Sequence, residues 1–359
     1  MGCPGLYLTK EEERILDGEE GELKAKLMEV LVKLGDVFDA ERLVRPASVH
    51  VSGVSYGTIG DAGLRFLRKV AEAGLRVSVP TSVNPCGICL DGNLPVDEEF
   101  ERKQREIMDA LESLGVASVY TCVPYQQGFQ PSRGDLLAWG ESSAVFVANT
   151  YYGARANREG APATVAAAVV GRIPEYGMHL DENRVAEYEV VVEFEPRNDF
   201  EWSALGYYLG EALDGIPVLK LPTVPSLSNV KYMGAAAAAS GALAMAYIPG
   251  ITPEEPRMDC PERIEVERED VFDLVEERFG TEREGFAFTG CPHRPDGEIP
   301  RFDGCAICCP ANATLDGYRL RGTCPVVAPI EDVHDVVFTD SLKAAHYLAS
   351  RVEVNVGPL

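Results

Sequence analysis

Short apolar runs alternate with longer amphipathic segments along this chain, and that rhythm narrows the fold more than any other feature. Apolar residues recur at helical spacing among Glu and Lys over 10–34, a strand-like run follows at 48–52, a helical pattern at 59–73 and a second strand-like run at 75–79. The order continues with an amphipathic helix over 97–114, a strand at 117–121, a helix near 160–170, strands near 190–194 and 217–221, and a helix of small residues over 229–247. Strand–helix alternation favours parallel or mixed sheets flanked by helices, with binding loops at the strand ends. The class is α/β.

A chain of 359 residues, 46% apolar and 25% charged, is long enough to bury a large core and to divide into two or three domains. The connector Ile251-Thr252-Pro253-Glu254-Glu255-Pro256 sets one boundary near residue 250, and a second is expected near 140. The expected units are α/β domains at 1–140, 141–250 and 251–359. The Gly234–Ala242 run is too short to span a membrane and reads as a buried helix jammed between neighbours. No apolar stretch reaches ~18 residues, and Met1-Gly2-Cys3-Pro4 lacks the order of a secretory signal, so a cytoplasmic protein without a membrane partner is expected. The net charge of −24 argues against nucleic acid as a partner. Small anions stay open, because a few cations and backbone amides converging in one cleft outweigh distant screened charge.

Ten cysteines without a secretion signal read as metal ligands or buried thiols before disulfides. Three of them sit in similar company: Thr121-Cys122-Val123-Pro124, Gly290-Cys291-Pro292-His293 and Thr323-Cys324-Pro325-Val326. Three thiolates from separate loops suit a cubane iron–sulfur cluster that keeps one iron free of protein, where it takes a leaving hydroxyl as a Lewis acid in a hydro-lyase site. Cys–Pro steps are also ordinary turn chemistry, so spacing alone leaves both readings open. Pro85-Cys86-Gly87-Ile88-Cys89 and Cys305-Ala306-Ile307-Cys308-Cys309 supply two Cys-x-x-Cys units, the spacing of a structural zinc site. Inert or redox-paired thiols are the alternative there.

The loop Ser52-Gly53-Val54-Ser55-Tyr56-Gly57-Thr58-Ile59-Gly60-Asp61 follows a strand pattern and opens a helix, where backbone amides and hydroxyls can cradle an anion. It matches neither the dinucleotide nor the P-loop fingerprint, so an ordinary βα turn is an equal reading. Thr81-Ser82-Val83-Asn84-Pro85-Cys86-Gly87 also follows a strand pattern. Adjacent strand-end loops of a parallel sheet face one crevice, so both can touch one ligand.

Taken in order, Gly53-Val54-Ser55-Tyr56, Thr58-Ile59-Gly60-Asp61, Thr121-Cys122-Val123-Pro124-Tyr125, Glu141-Ser142-Ser143-Ala144, Gly153-Ala154-Arg155-Ala156-Asn157-Arg158-Glu159-Gly160, His179-Leu180-Asp181-Glu182-Asn183-Arg184, Gly290-Cys291-Pro292-His293 and Ser341-Leu342-Lys343-Ala344-Ala345-His346-Tyr347 resemble the aconitase X family from about residue 8 to 347. The resemblance implies an aconitase-like multi-domain α/β assembly. It further implies a hydro-lyase that removes water from (R)-5-phosphomevalonate, giving trans-anhydromevalonate 5-phosphate in the archaeal mevalonate pathway. By the same likeness Cys122, Cys291 and Cys324 would hold a 4Fe-4S cluster, and Gly53, Val54, Ser55, Asn84, Pro85, Glu141, Ser142 and Lys343 would line the substrate pocket. The catalytic base of the family's two-subunit members is a serine on a small subunit carrying the swivelling domain, so this chain is expected to be active only as a heterodimer with that partner. Ser55 or Ser142 as the base is the rival reading, and neither has an evident activator.

Some readings stay unresolved in the sequence. The short segment between Cys291 and Cys324 lacks a helix that relatives carry, which weakens Cys324 as third ligand. Without the likeness Lys343 reads as a surface lysine. Arg155 and Arg158 suit either an anion clamp or ion pairs with acids such as Glu159. Of His179, His293 and His346, His293 is best placed to bond a cluster sulfur or substrate, while a structural role is the common fate of a single histidine. A cis-3-hydroxy-L-proline dehydratase and a zinc-stabilised, non-catalytic interaction protein are the alternative functions.

Overall fold

Three parallel sheets carry the alternation in the computed structural model, which describes residues 5–298, 305–315 and 317–359, apart from the side chains of residues 259 and 260. Met1-Gly2-Cys3-Pro4 lies outside the described residues. The chain opens with α1 (Lys10–Leu16) and α2 (Glu22–Val37), then β1 (Leu43–Val44), β2 (Ser48–Val51), α3 (Tyr56–Glu72), β3 (Thr81–Val83) and α4 (Glu98–Ser113). It continues through β4 (Leu136–Trp139), α5 (Ser142–Thr150), β5 (Arg155–Arg158), α6 (Ala161–Val170) and β6 (Ile173–Pro174). Strands β3-β2-β4-β5 form the first parallel sheet in that order, and β1 pairs with β6 antiparallel.

The second sheet, β8-β7-β9, is built from β7 (Val185–Val192), β8 (Ile216–Lys220) and β9 (Arg257–Val266), with α7 (Asp199–Ala212), α8 (Leu227–Ser240) and α9 (Arg268–Arg278) between and after them. The third, β12-β11-β10-β13-β14, contains β10 (Phe286–Thr289), β11 (Ala306–Cys309), β12 (Arg319–Arg321), β13 (Val336–Thr339) and β14 (Glu353–Val356), with α10 (Leu342–Leu348) before its last strand. All its pairings are parallel. The expected division near residue 140 falls between β4 and β5, which are hydrogen-bonded neighbours. Residue 250 lies within the second sheet's span, because β9 pairs back onto β7.

Local chemistry sets the helix starts. Asp97 caps α4 through the amides of Glu99 and Phe100, and Ser226 and Asn229 close a reciprocal box on α8. The small-residue helix is buried as expected from Val230 to Ala238, and α7 meets it at backbone distance. A Cβ on Gly206 would lie 2.0 Å from the Met233 carbonyl oxygen, so only glycine permits that approach. This helix stops at Ser240, short of the expected Tyr247: Gly241 packs directly on Gly210, Ala242 turns at φ +66°, and Tyr247 bridges to Val218 of β8.

Two expected strands give way to other pairings. Over 75–79 the Val77 amide donates to the Leu114 carbonyl and the Ser78 amide to Ala168, at the C-terminal ends of α4 and α6, and the strand forms at Thr81 instead. Over 117–121 the chain touches β3 at only two points, Ala117 to Thr81 and Thr121 to Val83, which leaves an isolated bridge. Among the described residues no helix is long and apolar enough to cross a membrane.

Candidate active site

The C-terminal ends of strands in the first and third sheets open onto one cavity of about 480 Å³. Ser52 follows β2, Asn84 and Pro85 follow β3, Gly140 and Glu141 follow β4, and Glu159 and Gly160 follow β5. From the other side come Cys291 after β10, Cys324 after β12, and Lys343 on the first turn of α10. This is where parallel sheets gather side chains from segments remote in sequence.

All three expected cluster cysteines line this cavity. Cys122 is 4% exposed, Cys291 2% and Cys324 4%. Each is carried by a turn with its own ties. The Thr121 amide bonds Val83, the Ser341 hydroxyl donates to the Cys291 carbonyl, and the Thr323 hydroxyl donates to the Cys86 carbonyl at 2.5 Å. Gly290 has φ +99°, and a Cβ there would lie 2.5 Å from the Cys308 carbonyl oxygen, so glycine is required to seat the second loop against β11. Cys324 therefore joins the other two despite the short segment before it.

Burial pushes the Cys122 thiol up to about 12, with Lys343 pulling the opposite way. The neighbouring Cys324 thiol and then burial hold Cys291 well above the ordinary thiol range, and Cys324 is likewise raised beside Cys308 despite the opposing influence of Cys291. Buried thiols of this kind become thiolates when a cationic metal centre takes them. Two further observations suit that role. The His293 amide donates to Cys122 Sγ at 3.2 Å, and the fully buried His293 ring has no partner at either nitrogen among the described residues. No three His, Cys, Asp or Glu side chains among the described residues are placed to hold a single ion. A cubane makes a different demand, since each of its protein thiolates takes a separate iron.

The two Cys-x-x-Cys units do not gather as a tetrathiolate. Cys86 Sγ lies 3.3 Å from both the Ile88 and Gly322 carbonyl oxygens, and Cys89 Sγ 3.6 Å from that of Arg319. Cys305 is half-buried at the entry to β11, while Cys308 packs in the core with Cys291 and Cys324.

Lys343 is not a surface lysine. It is 5% exposed, donates to Glu141 Oε1 at 2.5 Å and to Ser143 Oγ at 3.1 Å, and Ser143 Oγ donates to the same carboxylate oxygen at 2.8 Å. Burial alone would raise the Glu141 carboxyl, but the Lys343 ammonium overrides it and holds the group down to about 2. Of the other expected pocket residues, Asn84, Pro85 and Ser142 line the cavity. Gly53 and Val54 line an adjoining apolar cavity of about 240 Å³ that shares Ser52 with it. Ser55 stands one layer back and donates to the Val327 carbonyl at 2.7 Å.

The two arginines separate cleanly. Arg155 pairs with Asp181 at 2.8 Å and Glu254 at 2.9 Å, a structural role. Arg158 lines the cavity, and its guanidinium only approaches the Ala238 carbonyl at 3.5 Å. Glu159 accepts from the Tyr176 hydroxyl instead of pairing with arginine, and burial raises its carboxyl to about 7. His179 is held by the Leu137 and Pro174 carbonyls, and His346 lies 3.3 Å from the Tyr207 hydroxyl, so both are structural. Ser52 opens the loop read from the sequence as an anion cradle and does line the wall, whereas His50 was missed altogether. No local signal marked His50, which lies in β2, a strand whose four residues are all buried.

Comparisons with known proteins identify the family and the fold. Residues 5–182 match the model of the aconitase X first domain, and residues 186–276 that of the aconitase X second domain. The phosphomevalonate dehydratase large subunit of Methanothermobacter thermautotrophicus is 39% identical over 379 residues, covering 97% of this chain and 95% of its own. A cis-3-hydroxy-L-proline dehydratase of Pseudomonas aeruginosa is 31% identical over 266 residues, which is 70% of this chain and 44% of that protein. The crystal structure of Thermococcus kodakaraensis aconitase X in its holo form matches with a TM-score of 0.90 at 37% identity, covering 98% of both chains. With both family models matched over residues 5–182 and 186–276 and near-complete coverage at this identity, the chain belongs to the aconitase X family.

Proposed function

We propose that this chain is the large subunit of a hydro-lyase that dehydrates (R)-5-phosphomevalonate to trans-anhydromevalonate 5-phosphate. The observation that carries the reading is the arrival of Cys122, Cys291 and Cys324 on the cavity that also holds Lys343 and Arg158. The name of the Methanothermobacter relative supports the substrate. These three cysteines would hold the 4Fe-4S cluster, which supplies Lewis acidity toward the leaving hydroxyl when bound. The chain's own residues bind and orient. Arg158 has no carboxylate partner among the described residues and suits an anionic group of the substrate, Lys343 adds N–H donors although its charge is paired with Glu141, and Asn84 and Ser142 add polar groups.

A proton acceptor is harder to find in this chain. Glu159, on the cavity wall with its carboxyl raised to about 7, already accepts from the Tyr176 hydroxyl at both oxygens. Glu141 is bound to Lys343 and held far below the working range, and its carboxylate bonds Ser143 rather than Ser142. Ser55 already donates to a backbone carbonyl. The family resemblance assigns the base to a serine on a second, small subunit, and the large-subunit name of the Methanothermobacter relative supports such a partner. The test is reconstitution. Anaerobically loaded chain, mixed with the small subunit of an archaeal relative, should release water from (R)-5-phosphomevalonate and leave cis-3-hydroxy-L-proline untouched; either chain alone should be nearly inactive. Turnover of the proline, or full activity from this chain alone, overturns the proposal.

A further inference from the structure

A buried hydrogen-bond chain runs from the interior of the first sheet to the cavity wall. His50 on β2 is fully buried, with Nδ1 2.9 Å from Ser82 Oγ and Nε2 3.3 Å from Asn84 Oδ1. Asn84 Nδ2 donates to Ser52 Oγ at 2.9 Å. The imidazole also lies edge-on to Trp139, with centroids 6.2 Å apart, which fixes the ring plane. Asn84 and Ser52 both line the cavity, whereas His50 and Ser82 have no exposed surface at all.

The chain has a direction. Burial holds the imidazole neutral, so it carries one N–H. If that hydrogen sat on Nδ1, the bare Nε2 would face the Asn84 Oδ1, acceptor against acceptor, and the Ser82 hydroxyl, accepting from Nδ1, would have no side-chain acceptor for its own hydrogen among the described residues. With the hydrogen on Nε2, Ser82 donates to Nδ1, Nε2 donates to Asn84 Oδ1, and Asn84 Nδ2 donates to Ser52. Every interior donor then has an acceptor. Two hydrogens remain, the second N–H of Asn84 Nδ2 and the hydroxyl hydrogen of Ser52, whose Oγ already accepts one bond, and both side chains line the cavity.

We propose that His50 is a positioning residue that orders Asn84 and Ser52, so that the Ser52 hydroxyl donates to an anionic oxygen of the substrate. The inference rests on the dehydratase reading for its substrate, while its internal part, the tautomer, stands without it. Removing one donor that the substrate contacts throughout the reaction weakens binding more than turnover. His50→Phe removes both ring nitrogens, and His50→Gln restores a donor near the Nε2 position.

Two measurements test this on the loaded two-subunit enzyme. In 15N-histidine spectra, with the signal assigned by its loss in His50→Gln, the His50 ring should be protonated on Nε2; a hydrogen on Nδ1 overturns the proposal whatever the substrate is. In kinetics, Ser52→Ala and His50→Phe should each raise KM about tenfold with kcat within about twofold, their combination should be no worse than either alone, and His50→Gln should recover most of the loss. Inorganic phosphate and acetate as competing inhibitors identify the end of the substrate concerned. Weaker inhibition by phosphate in Ser52→Ala assigns the phosphate, and weaker inhibition by acetate assigns the carboxylate. If neither inhibitor is affected and KM stays within twofold, Ser52 does not bind substrate and the proposal fails.

Discussion

Lys343, on the first turn of α10, and Glu141, which follows β4 and caps α5, join the third sheet to the first through a buried ion pair at 2.5 Å across 202 residues of sequence. A pair of this kind is stable as a pair and costly as a single charge. Lys343→Ala leaves the Glu141 carboxylate without its ammonium, so it should destabilise the protein by roughly 3–5 kcal/mol in chemical unfolding. Lys343→Met combined with Glu141→Gln should recover much of that stability, because no uncompensated charge remains, without recovering activity.

The same pair sets an acid limit. Glu141 has its carboxyl lowered to about 2 in the folded protein from 4.5, so the folded state holds fewer protons than the unfolded one between those values. Its stabilising contribution is complete above pH 4.5 and is lost as pH falls through about 2. Unfolding free energies measured from pH 6 down to 3 should fall less steeply in the Lys343→Met/Glu141→Gln double variant than in the wild type.

Glu159 works with the opposite sign. Its carboxyl is raised from 4.5 to about 7 by burial, so the folded state retains a proton that the unfolded chain has released. Stability from this group is complete below pH 4.5 and is lost as pH rises through 7. Glu159→Gln should flatten that part of the profile and stabilise the protein at pH 8, by at most about 3 kcal/mol. The Tyr176 hydroxyl that bonds both carboxylate oxygens can still bond the amide oxygen.

The α/β rhythm and the three cysteine loops were legible because they are local. Periodicity marked α4 and α6, and a proline one or two residues after each cysteine marked Cys122, Cys291 and Cys324. What the sequence hid were long-range choices. The extended residues at 75–79 bond helix ends instead of a strand, and nothing local says that the carbonyls of Leu114 and Ala168 will be there. The ambiguity of Arg155 and Arg158 had the same origin. They are equivalent in sequence, and only the arrival of Asp181 and Glu254 beside Arg155 makes one structural and leaves the other on the cavity. His50 was invisible for the same reason, since its partners Ser82 and Asn84 lie on the neighbouring strand and loop.

Gly206 tests the packing that holds the second sheet's helices together. Its α-hydrogen side faces the Met233 carbonyl with no room for a methyl group. Gly206→Ala should cost roughly 1–3 kcal/mol or more by forcing α7 and α8 apart. Thermal unfolding should show this as a lower Tm. An unchanged Tm would mean that the two helices separate freely.

Iron and sulfide content after anaerobic reconstitution tests the cluster most directly, read together with the visible absorbance of each single-cysteine variant. About four irons per chain with a broad visible band are expected for the wild type and for Cys308→Ser, with loss of both in Cys122→Ser, Cys291→Ser and Cys324→Ser. A colourless protein holding zinc, or full iron content after removal of any one of those three thiols, would contradict it.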